Sequence, residues 1–155
     1  MSKKWLVIGG GIVLLSIGVY FLAPMSFIRT LKDTVSEVAG MRYEIVVTEA
    51  AQEKGLGGRA EIPDNYGMLF VLDKPKRVGV WMKDMLTPID ILWLSDNGTV
   101  ILIDSYVNPA SYPHVFYPPQ PVSYVLETKA GYADKHTIAV GSNIRLPAPY
   151  GNRDK

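Results

Sequence analysis

Four carboxylates in the second half of the chain, Asp84, Asp90, Asp104 and Glu127, are the residues whose type most readily supports chemistry. Two of them flanking a glycosidic bond would supply acid–base hydrolysis, and the distance between the pair would set its stereochemistry. Sequence order does not supply that distance. Two of the four stand in "VWMKDMLTPID", which brings Trp81, Lys83, Asp84 and Asp90 into one candidate ligand cleft. In an extended chain Trp81 and Lys83 take one face and Val80 and Met82 the other. In "IDILWL", Asp90 shares a face with Leu92 and Leu94, while Ile89, Ile91 and Trp93 take the opposite one. Both faces are apolar, so this strand is expected to be central and Asp90 at least partly buried. A buried carboxylate needs a partner, and Lys83, Thr87 and the backbone N–H groups of the connecting loop are nearest in sequence. Asp90 is then either a clamp on the Met85–Pro88 connection or a pocket carboxylate with a perturbed pKa, anchoring a ligand or exchanging protons.

A second candidate is "NPASYPHVFYPPQP", residues 108–121, where five prolines interleave with Tyr112, His114, Phe116 and Tyr117. Its aromatic rings either cover the end of a β domain as buried apolar area or present a rigid platform for a sugar or an extended peptide, since proline lowers the entropy lost on binding. "GLGGR", Gly55–Arg59, is a glycine-rich turn that binds an anion or simply ends in a surface Arg. His114 and His136 stand in no metal-ligand spacing, and no serine sits in a nucleophile elbow. No metal and no cofactor is expected. The absence of cysteine excludes disulfides, thiolate metal sites and thiol catalysis.

The elements that must position these groups read as strands. "YEIVVT" (43–48), "GMLFVL" (67–72), "RVGVWMK" (77–83), "IDILWLS" (89–95) and "TVILIDSYV" (99–107) are β-branched and aromatic runs bounded by turn residues, and "VSYVLE" and "VGSNIRL" continue the pattern. Between the fourth and fifth runs, Asn97-Gly98 predicts a type I′ hairpin with two positive φ angles. Helical candidates are short, "EAAQEKGL" from Glu49 and "AGYADKH" from Ala130. The pattern predicts a mainly β fold, a compact antiparallel sandwich or barrel-like domain with one or two short helices.

The N-terminus poses a choice of its own. In "VIGGGIVLLSIGVYFLAP" Gly9 and Gly11 fit a dinucleotide fingerprint, but Leu14 takes the place of the third glycine. The membrane reading fits better: residues 5–23 are an uncharged run that as helix spans roughly 28 Å, matching the hydrocarbon core. Trp5 and Tyr20 suit the interfacial belts, and Lys3 and Lys4 favour a cytoplasmic N-terminus. No small-x-small cleavage site ends the run, so a retained single-pass anchor in the plasma (inner) membrane is expected, with the domain extracytoplasmic; a cleaved anchor would make the protein secreted. Without Lys3 and Lys4 the basic residues fall from 16 to 14 against 15 acidic ones, with no basic stripe, so no nucleic-acid partner is expected.

"EKGLGGR", "GMLFVLDKPKRVGVWMKDMLTPIDILWLSDNGTVI" and "YVLETKAGYADKHTIAVGSNIRL" resemble the early, central and closing segments of the bacterial and archaeal domain of unknown function 192, over about residues 43–146. The resemblance implies a compact β-rich domain, often behind a signal peptide or anchor, and no known reaction. The chain departs from the family's usual residues at Gly57, Asp84-Met85 and Ser142. The expected organisation is an anchor at 1–23, a juxtamembrane linker at 24–40, the β domain at 41–147 and a tail at 148–155. The function expected is that of an envelope binding or accessory module acting through the cleft at Trp81, Lys83, Asp84 and Asp90 or the aromatic loop at Tyr112, His114 and Tyr117. The alternatives are a hydrolase of envelope glycan or peptide, and a structural partner of another membrane protein.

Overall fold

A computed structural model of the chain describes residues 34–38 and 40–150. The expected anchor, most of the expected linker and residues 151–155 of the expected tail lie outside the described residues. Among the described residues no helix is long and apolar enough to cross a membrane.

The strands are β1 (Thr34–Val38), β2 (Met41–Val46), β3 (Tyr66–Lys76), β4 (Val80–Trp81), β5 (Ile89–Leu94), β6 (Val100–Val107), β7 (Val115–Phe116) and β8 (Val122–Lys129), with short helices α1 (Glu49–Lys54) and α2 (Tyr132–Lys135). The fold is mainly β, as expected. The main sheet runs β2-β3-β8-β5-β6 and is extended at one edge by β1, which lies within the stretch read as linker. β4 and β7 form a separate two-stranded ribbon.

Two features correct the expected antiparallel sandwich or barrel. The sheet is mixed, because β2 and β3 are parallel, and β1 and β6 remain as its hydrogen-bonding edges. Parallel neighbours need a crossover, and residues 47–65 supply it through α1. Thr48 caps that helix, its Oγ1 accepting from the Ala51 N–H at 3.3 Å. From the next position on the helix, Gln52 Nε2 donates to the Val46 and Val71 carbonyls at 3.2 and 2.9 Å, pinning α1 to the ends of both strands.

The sheet is covered on both faces. All six residues of β5 are buried, as the run of apolar residues on both sides of "IDILWL" predicts. Ile89, Ile91 and Trp93 join one core with Met68, Phe70 and Val125; Leu92 and Leu94 join the other with Leu69, Leu126 and Tyr43. Trp93 is fully buried, and its indole Nε1 donates to Asp104 Oδ2 at 2.7 Å.

The β5–β6 hairpin exists where expected, but its turn differs. Asn97 does not adopt a positive φ; Gly98 alone in this turn does, at 83°. The Gly98 N–H donates to the Ser95 carbonyl at 3.1 Å and the Ser95 N–H to the Thr99 carbonyl at 2.9 Å, as in a type I turn closed by a left-handed glycine. Asn97 instead uses its side chain, Oδ1 accepting from Ser95 Oγ, the Thr99 N–H and Thr99 Oγ1. The expected strand "VGSNIRL" is reduced to a bridge between Asn143 and Thr99, because residues 141–144 pair with this turn rather than extend a sheet. A Cβ at Gly98 would lie 2.5 Å from the Ile144 carbonyl oxygen. Gly98→Ala is therefore expected to lower unfolding free energy in urea titrations by about 1–3 kcal/mol, whereas Asp96→Ala, at an exposed position of the same turn, is expected to change it by less than about 0.5 kcal/mol.

Candidate functional site

The alternation that puts Leu126 into one core turns Val125 and Glu127 towards the other. Glu127 pairs in register with Met68 of β3 and Ile91 of β5, so hydrocarbon flanks it on both sides. The C-terminal end of α1 covers it from above: a Cβ at Gly55 would lie 3.6 Å from Glu127 Oε2 and 3.6 Å from the Phe70 ring. Gly55 is the helix cap, at φ 50° and ψ −138°, and its N–H donates to the Ala51 carbonyl. A side chain at this position would be strained by the backbone, and its Cβ would rest in van der Waals contact with the carboxyl.

Glu127 is 5 % exposed, yet it lines a cavity of about 600 Å³. Phe70, Leu72, Val80 and Met85 contribute apolar wall. Among the described residues none donates a hydrogen bond to the carboxyl. Burial pushes Glu127 up to about 8, with the positive charge of Arg59 opposing the rise. Arg59 is committed elsewhere. Its Nη2 donates to both Glu44 carboxylate oxygens at 2.9 Å and its Nη1 to Tyr66 Oη at 2.8 Å, while Tyr66 Oη donates to Glu44 Oε2 at 2.6 Å. The cation of "GLGGR" is thus half-buried in an ion pair rather than free at the surface. Burial of the Tyr66 ring, reinforced by its bond to Glu44, holds the phenol proton well above the usual range.

The predicted cleft residues are divided. Trp81, 44 % exposed, and Lys83 line the cavity together with Glu127. Asp84 lines a neighbouring hollow of about 440 Å³ with Lys83, Gly57 and Gly58. Its backbone takes φ 57°, and its carbonyl accepts from the Gly58 N–H at 2.8 Å, which joins the glycine turn to the segment after β4.

Asp90 does not belong with them, because it points to the face of the sheet opposite Glu127. Its Oδ1 accepts from the Tyr106 and Gly131 N–H groups at 2.9 and 3.1 Å, and its Oδ2 from the Ala133 N–H at 3.0 Å. Asp90 is a clamp, but not on the Met85–Pro88 connection: it ties the end of β6 to the start of α2, and neither Lys83 nor Thr87 reaches it. Asp104 is held by Trp93.

The loop at 108–121 is more regular than its prolines suggest, with a 3-10 turn at Pro109–Ser111 followed by β7. Tyr112, His114 and Tyr117 are exposed, and His114 meets Phe116 edge to face at 4.7 Å between ring centroids. A Cβ at Gly79 would stand 2.8 Å from the Tyr117 ring, so Gly79 leaves the room in which Tyr117 lies. Since Val80 pairs with Phe116 and Trp81 with Val115, Trp81 and Tyr117 occupy the same face of the ribbon. Tyr112 and His114 do not line the cavity. Among the described residues no cluster of His, Asp or Glu is arranged to hold a metal ion.

Glu127 stands among the four carboxylates read from the sequence, but outside the cleft expected at Trp81, Lys83, Asp84 and Asp90. The alternation argument applied to "IDILWL" would have turned it inward in "SYVLET" too, but nothing local shows that no donor meets it.

Two outcomes follow. Asp90→Ala leaves three backbone donors without their acceptor, at about 1–3 kcal/mol for each one kept from water; a loss of roughly 3 kcal/mol or more is expected in denaturant unfolding. For Glu127 the folded pKa lies above the unfolded one, so the native state keeps a proton that the unfolded chain releases. Its contribution is fully present below about pH 4.3, declines as pH rises to about 8 and is then flat. Glu127→Gln should remove that decline, seen as convergence or crossing of the two stability–pH curves between pH 5 and 8.

Residues 30–146 match the sequence pattern of the DUF192 family, described as "Uncharacterized ACR", and the chain belongs to that family. A protein from Sinorhizobium meliloti 1021, provisionally described as a transcription regulator, shares the fold at a TM-score of 0.64 and 30% identity, over 66% of this chain and 79% of that one. A protein of unknown function from Novosphingobium aromaticivorans DSM 12444 is similar at a TM-score of 0.65 and 25% identity, over 76% of this chain and 94% of that one. No curated protein matches.

Proposed function

We propose that this member of the DUF192 family is a binding module of the cell envelope that takes a small ligand into the cavity floored by Glu127. In this reading residues 5–23 anchor it in the plasma membrane, the N-terminus is cytoplasmic and the β domain faces outward. The observation that carries the proposal is a buried carboxyl, with no donor among the described residues, at the base of a cavity. Its volume of about 600 Å³ falls within the ordinary range for small-molecule sites. An apolar wall with a few polar groups, one of them a carboxyl with a perturbed pKa, is the usual signature of such a site. A short glycan or peptide fragment of the envelope would reach Glu127 with its inner end and lie against the half-exposed ring of Trp81.

The geometry favours binding over hydrolysis. A hydrolase would need a second carboxyl set across the bond from Glu127. The other acids lining the cavity, Glu49, Glu53 and Asp73, are exposed on its rim, and Asp73 is paired with Lys76 at 2.9 Å. The regulator description of the Sinorhizobium protein does not enter the reading, since this chain, at a net charge of +1, carries no basic stripe.

The test is a thermal-shift screen of envelope glycan and peptide fragments and small amines against the full-length protein. Compounds that raise the wild-type Tm should lose about tenfold in affinity, or about 1.4 kcal/mol, in Trp81→Ala and in Glu127→Gln. Tyr112→Ala, away from the cavity, should bind as the wild type does. Hits that are indifferent to both cavity substitutions would refute the proposal.

A further inference from the structure

We infer that the ligand class of this cavity is an organic ammonium, whose cationic nitrogen takes the carboxylate of Glu127 while its hydrocarbon body lies against Phe70, Leu72 and Val80. The inference rests on the cavity being a binding site and adds the chemistry of what it binds.

Among the described residues Glu127 has no ion-pair partner, and the cation whose charge acts on it, Arg59, already holds Glu44 through two hydrogen bonds and Tyr66 through a third. The remaining charged groups facing the cavity are Glu49, Glu53 and Lys54 from α1, Asp73 and Lys76 from β3, and Lys83 beyond β4. Three acids meet three lysines, so the rim imposes no net sign and the floor decides. Water-screened rim charges also act weakly beside a charge held in low dielectric.

A ligand carbonyl or hydroxyl would gain one neutral hydrogen bond from the protonated acid. An ammonium gains a charge-assisted bond, about twice as strong, and supplies a counterion that none of the described residues provides. The proton balance is explicit: the neutral carboxyl and the ammonium combine to carboxylate and ammonium in contact, and the carboxyl proton leaves to solvent. With Glu127 at about 8, giving up that proton costs about a factor of ten at pH 7. Binding of a cation must therefore tighten as pH rises towards 8.

The test uses isothermal titration calorimetry of the full-length chain with n-hexylammonium, n-hexanol and hexanoate, each in two buffers of different ionisation enthalpy. The expected result is hexylammonium binding at least tenfold tighter than hexanol, with close to one proton released at pH 6–7. Its affinity should rise close to tenfold from pH 6 to pH 7, and Glu127→Gln should abolish both the proton release and the slope. The buffer comparison and pH slope of the wild type stand by themselves should that variant fold poorly. Hexanol binding as tightly as hexylammonium without proton release, or hexanoate binding tightest, overturns the ammonium assignment while leaving the cavity a binding site. No binding by any of the three overturns both.

Discussion

A strand buried along its whole length must find cover for both of its faces, and β5 imposes that demand on the rest of the domain. Its neighbours β8 and β6 complete the sheet around it, and the two cores form on either side. Side chains alternate strictly, so every inward position belongs to one core or the other. An acid at such a position is taken out of bulk water and must be satisfied by what the fold places above it or by what enters a cavity there. Asp90 on β5 and Glu127 on the adjacent β8 are both in this situation, on opposite faces.

The two carboxyls are resolved in different ways. Asp90 receives three backbone N–H groups from the end of β6 and the start of α2, so it works as a connector between elements distant in sequence. Glu127 receives none among the described residues. The chain that covers it is the glycine-capped end of α1, whose N–H is already committed to Ala51. Burial there leaves a protonated acid facing an apolar cavity, which opposes folding as pH rises. A group that costs stability and ties nothing together is more readily understood as a site than as scaffold.

Much of this was legible in the residues themselves. The run "IDILWL" marked a central strand, the same alternation split Trp81 and Lys83 from Val80 and Met82, and the burial of Asp90 followed from its apolar neighbours. Both short helices stand within the segments that suggested them. What escaped was long-range. The parallel pairing of β2 with β3 depends on the path of residues 47–65, and nothing in either strand encodes it. Thr34–Val38 is too polar to read as a strand until its register with β2 is seen. Asn97-Gly98 suggested two positive φ angles, but Asn97 gains more by accepting three hydrogen bonds through its side chain. Asp90 and Trp81 look like neighbours in sequence, while the pleat sends Asp90 to the far face. The isolation of Glu127 arises only when Gly55 closes over it.

The central claim is that Glu127 holds its proton at neutral pH inside the cavity. It is tested most directly by following the side-chain carboxyl carbon of Glu127 by NMR through a pH titration of uniformly labelled protein, with Glu127→Gln identifying the resonance. A midpoint near 8, well apart from the other glutamates, is the predicted result. A midpoint at the ordinary glutamate value of about 4.3 would mean that the carboxyl is ionised and compensated within the fold, and would contradict the account.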